Sequence, residues 1–77
     1  MITSPSDLWD LTHALMGCVV DETVWVSKVR SRTVMFDTPI EGAITEVLLA
    51  FDSRQGIALA LNELLTMTEE AALAGLP

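Results

Sequence analysis

Residues Thr38 to Leu65, TPIEGAITEVLLAFDSRQGIALALNELL, form the one stretch apolar enough to organise a core. Within it Ile40, Ala43, Ile44, Val47, Leu48 and Phe51 recur at helical spacing, and so do Ile57, Ala60, Leu61, Leu64 and Leu65. Two apolar stripes in succession predict two elements packed against each other. Thr38 can cap the first, Pro39 suits its first helical position, and Glu41 completes a capping-box spacing with Thr38. Asp52 or Ser53 can cap the second, a helix running from about Arg54 to Met67 with Gln55 three residues after Asp52. The first segment also has a strand reading over residues 43 to 51. Gly42 weakens a helix by roughly 1 kcal/mol, Ile44, Thr45 and Val47 are β-branched, and Ala43, Thr45, Val47, Leu49 and Phe51 share a face at period two.

Ahead of this core, Ser4, Pro5 and Asp7 mark a helix start, and Leu8, Leu11 and Leu15 give an amphipathic stripe that predicts a helix over residues 5 to 16, closed near Gly17. Residues 23 to 37, TVWVSKVRSRTVMFD, are rich in valine, threonine and aromatic residues. Propensity therefore predicts two antiparallel strands, Thr23 to Val29 and Thr33 to Asp37, joined by a turn around Arg30 to Arg32. At the far end, Thr68, Glu69 and Glu70 before Ala71 to Leu73 read as a short, separately capped helix. The expected fold is therefore α+β in a single domain, residues 1–77: an N-terminal helix, a β-hairpin or small three-stranded antiparallel sheet, and a helical C-terminal half.

Seventy-seven residues leave room for one core only. A domain of that size buries only about 60% of the surface its unfolded chain exposes, yet 51% of the residues are apolar. The surplus leads to the expectation of a homo-oligomer or of a chain completed by a protein partner. Glu41, Glu46, Asp52, Arg54 and Glu63 interrupt the apolar half too often for a membrane span. The N-terminal MITSPSDLWD has no basic-then-apolar pattern of a secretory signal, so a cytoplasmic location is expected. Eleven acidic residues against four basic ones give a net charge of −7, which makes direct binding to nucleic acid or to an anionic membrane unfavourable and favours basic partners.

The sequence holds little chemistry. His13 is the single histidine, with Asp10 three residues before it as a possible orienting partner, and no cluster has metal-ligand spacing. Cys18 is the single cysteine and reads as a small buried apolar residue. Asp21/Glu22 and Glu69/Glu70 sit where solvated charge is expected, and no phosphate loop, paired-glycine fingerprint or CxxC occurs. No enzymatic activity, metal or cofactor is expected. The most ordered charge feature is Lys28, Arg30 and Arg32, which share one side of an extended chain. They read either as a basic finger for a partner or as protection of a strand edge. Trp25 belongs to a residue type enriched at interface hot spots, although core packing is the favoured use in a domain with four aromatic residues; with the three basic residues it forms the candidate partner-binding set.

Asp52–Ser53 followed by GIALALNELL resembles the Asp-Ser attachment site of acyl carrier proteins. In that helical family the serine opens a helix and carries phosphopantetheine, so the resemblance implies that role for Ser53. The leading expectation is different: a non-catalytic acidic protein-binding module, such as a small microbial or phage inhibitor of the antitoxin or anti-defence kind. A self-assembling accessory subunit and an acyl-carrier-like protein are the alternatives.

Overall fold

The computed structural model describes residues 1–75, and these form four α-helices with no strand among them: α1 (Pro5–Met16), α2 (Glu22–Arg30), α3 (Thr38–Ser53) and α4 (Ile57–Leu73). α4 packs along both α1 and α3, and α2 packs against α1 and, through Trp25, against Phe51 of α3. The core between them contains Leu8, Trp25, Val29, Ile40, Ile44, Val47 and Leu64, all essentially inaccessible to water. Full burial of side chains of this kind stabilises by about 1.5–3 kcal/mol each.

The expected hairpin is absent, and with it the α+β class. Residues 22–30 form α2, because the local signals of a helix end and the needs of the core agree there against strand propensity. The Asp21 carboxylate accepts a hydrogen bond from the Val24 amide at 2.9 Å, Glu22 lies in the first turn, and Lys28 and Arg30 lie in the last. That arrangement satisfies a free donor and complements the helix dipole at both ends. Trp25 and Val29, four residues apart, then point together into the core. Sheet propensity is a packing preference, and tertiary context overrides it. Residues 33–37 form a connecting segment that pairs with no strand. Their anchor is Glu41, whose carboxylate accepts from the Phe36 amide at 3.1 Å and from Arg32, while Arg32 also donates to the Val29 carbonyl. Phe36 is buried by this loop and leads directly into α3.

In α3 the helical reading holds and the strand alternative for residues 43–51 fails. Ile40, Ala43, Ile44, Val47, Ala50 and Phe51 are buried, whereas Thr45 and Leu49, which the period-two reading placed with Val47, face water. The N-cap is Asp37 and not Thr38, and its side chain makes no cap hydrogen bond. The start of α4 also differs. Asp52 and Ser53 stay in the last turn of α3, and the chain turns through Arg54 (φ 58°) and Gly56 (φ 67°), both left-handed, before entering α4. Nor does Thr68 begin a new helix. It is buried, and its hydroxyl donates to the Leu64 carbonyl at 2.8 Å, so α4 runs through it to Leu73.

The α1 boundaries match the sequence expectation, with Ser4 Oγ accepting from the Asp7 amide at 3.2 Å. Its terminator does not. Gly17 has φ −81°, and Cys18 adopts φ 61°. The Cys18 amide donates to Leu15 and the Val19 amide to Ala14, the paired bonds of a Schellman closure with cysteine in the left-handed seat that glycine usually takes. Cys18 is thereby exposed, not buried as expected from its residue type.

Candidate functional site

The residues singled out as a partner-binding set do not form one. Trp25 is fully buried: its indole Nε1–H donates to Thr12 Oγ1 at 3.1 Å, and its ring meets Phe51 edge to face at 5.5 Å. Arg32 is bound to Glu41 and the Val29 carbonyl. Lys28 and Arg30 remain exposed, but on a helix residues two apart diverge, and each faces a different open groove, one lined also by Asp7 and Asp10 and the other by Glu22 and Asp52. The single basic side required an extended chain, and α2 removed it.

Neither the histidine nor the carrier-type serine sits in a chemical constellation. His13 stacks on Trp9 with ring centroids 4.8 Å apart, and among the described residues no group of three or more His, Cys, Asp or Glu side chains converges as a metal site would. Ser53 closes α3, its hydroxyl donating to the Ala50 carbonyl at 3.4 Å, whereas the carrier resemblance requires a serine that opens a helix. The helical fold agrees with that resemblance, and the position of the serine does not.

The charges are distributed unevenly. Of four basic residues, Arg32 pairs with Glu41, and Arg54 makes a bidentate contact with Glu22 at 2.6 and 2.9 Å. The Arg54 guanidinium is held above its ordinary pKa by hydrogen bonding and charge attraction from Glu22. Lys28 and Arg30, both on α2, are the free cations among the described residues, against nine of the eleven acids that make no ion pair. Asp7 is held below the ordinary carboxylate value because Thr3 donates to it from both its hydroxyl and its amide, at 2.7 and 2.9 Å.

A third open groove, beside the two that Lys28 and Arg30 face, lies between α3 and α4. Its volume is about 350 Å³, and it is walled by Leu49 and Leu59, which are 55% and 67% exposed, with buried Ala50 and Ala60 at its base and exposed Ser53, Gln55 and Gly56 at the turn end. Glu46 and Glu63 stand at its outer end, each about one turn beyond its leucine. α3 thus carries Glu46, Leu49, Ala50 and α4 carries Leu59, Ala60, Glu63, the same three residue types on either side of the connecting turn. These residues were not in the candidate set read from the sequence. The two Leu-Ala pairs, each with a glutamate one turn away on the side remote from Arg54–Gly56, were the available signal. Comparison with protein-family models, curated proteins and solved structures finds no match to this chain.

Proposed function

We propose that this protein is a non-catalytic binding module whose acidic helical surface docks on a basic surface of a partner protein. The observation that carries the reading is the segregation of charge and apolar exposure. Outside α2 every basic side chain among the described residues is already paired, while unpaired acids stand near exposed leucines on α3 and α4. Such a surface steers toward positive partners and repels nucleic acid phosphates. No helix among the described residues is long and apolar enough to cross a membrane, and an exposed free thiol at Cys18 suits a reducing cytoplasm. Acting by covering a basic working surface of its target, such a module is an inhibitor.

The test has two stages. Light scattering across a tenfold dilution gives the mass in solution, and a monomer is expected. Partners retained by the immobilised protein are then titrated against it at two ionic strengths. Affinity for a cognate partner should fall at least about tenfold between ~50 and ~300 mM salt, as screening of exposed charges requires. A salt-insensitive complex overturns the electrostatic reading, and a dilution-resistant oligomer with no other partner replaces it with the self-assembling subunit.

A further inference from the structure

The α3–α4 groove also specifies the shape of what it holds. Resting on the binding-module reading above, we infer that this groove takes one short basic amphipathic helix of the partner protein. That helix presents two apolar residues one turn apart, followed one turn later by lysine or arginine.

Ala50, Ala60 and Gly56 let another backbone come close, while Leu49 and Leu59 rise on either side to grip an inserted side chain. Two helices joined by a tight turn leave a seam between them into which the apolar stripe of a third helix fits. No sheet edge exists among the described residues to add an extended strand. From Glu46 to Ser53 the seam is about 10 Å long at 1.5 Å per residue, so about two turns of a helix fill it.

Charge then selects the occupant. Glu46 and Glu63 are exposed, make no ion pair and stand at the same end, so the cations of the ligand must cluster at one end of its apolar stripe. A second copy of this chain seated symmetrically would bring its own Glu46 and Glu63 toward the same seam, with a net charge of −7 on each molecule. Like-charge juxtaposition of that kind disfavours self-association and leaves a basic partner. The opposite end of the seam has no free cation, since Arg54 is turned away to Glu22.

The probe is a capped Ala-based helical peptide of about 14 residues, with leucines at i and i+4 and lysines at i+7 and i+8, titrated into the isotope-labelled full chain and followed by NMR. Amide shifts should centre on residues 46–63. Leu49→Ser/Leu59→Ser, substitutions at exposed positions, should weaken binding at least about fivefold with the rest of the spectrum unchanged. Glu46→Lys/Glu63→Lys should do the same and should then accept a peptide with glutamate in place of both lysines. That charge-swap rescue is a result that simple misfolding cannot give. Shifts centred on α1 or α2, equal binding of a peptide with the same composition in scrambled order, absence of binding, or a charge-reversed protein that rejects both peptides overturns the inference. A natural partner whose affinity is salt-dependent but indifferent to these four substitutions removes the groove and leaves the binding-module reading standing.

Discussion

Thr12→Val isolates the hydrogen bond that joins two buried side chains in this core. The Trp25 indole N–H and the Thr12 hydroxyl are both fully buried and meet at 3.1 Å. Valine reproduces the shape of threonine and removes the acceptor, leaving a buried donor unpaired at a loss of about 1–3 kcal/mol. A chain of 77 residues has a total stability of about 4–12 kcal/mol, so the change is a large part of it. A loss of 2 kcal/mol lowers Tm by about 8–16 °C in a domain of this size. The control is the same substitution made in Trp25→Phe, which lacks the indole donor. There the Thr12 hydroxyl is free to turn to its own helix, as Thr68 does to the Leu64 carbonyl, and Thr12→Val should change stability by less than about 0.5 kcal/mol. Urea unfolding followed by circular dichroism at 222 nm reads all four proteins. Equal losses in the two backgrounds would refute the reasoning, because they would trace the effect to packing and not to the orphaned indole.

Cys18→Gly should stabilise the protein by about 0.5–1 kcal/mol, since φ 61° strains a residue with a Cβ and glycine adopts it freely; a lowered urea midpoint would argue against the Schellman closure. Asp7 should titrate below its ordinary 3.8 in an NMR pH series. Because its folded pKa is depressed, its contribution to stability is present above the unfolded pKa and fades as pH falls through the folded one. Thr3→Ala should move the midpoint back up, and an unchanged midpoint would remove Thr3 as the cause. Incubation with a phosphopantetheinyl transferase and coenzyme A should leave the intact mass unchanged, as Ser53 ends a helix and does not open one; a mass addition lost in Ser53→Ala would restore the carrier reading.

α1 and the core face of α3 were legible in the sequence because local and global signals coincide there. Ser4, Pro5 and Asp7 encode a start that needs nothing from elsewhere, and Ile40, Ile44 and Val47 fall on one helical stripe. Residues 23–37 were misread because valine, threonine and tryptophan favour strands on average, while Asp21 as a cap and the Trp25/Val29 spacing carried the deciding information. The candidate site failed for a related reason. Lys28, Arg30 and Arg32 share a side only on an extended chain, and Trp25 became core once α2 formed around it.

The sequence by itself determined the acidity of the protein, the absence of a long apolar span, the N-terminal helix and the identity of most core residues. These depend on composition and on spacings of three or four residues, which act within a single turn. Only the tertiary structure decided that Thr12 meets Trp25, that Arg54 reaches Glu22 across 32 positions, and that Leu49 and Leu59 wall one groove under Glu46 and Glu63. The last of these depends on how the turn at Arg54 and Gly56 folds α4 back beside α3, and the other two on how α2 sits against α1 and that turn. Arg54 takes the left-handed conformation in this return although its side chain is exposed, and no local preference of arginine announces it.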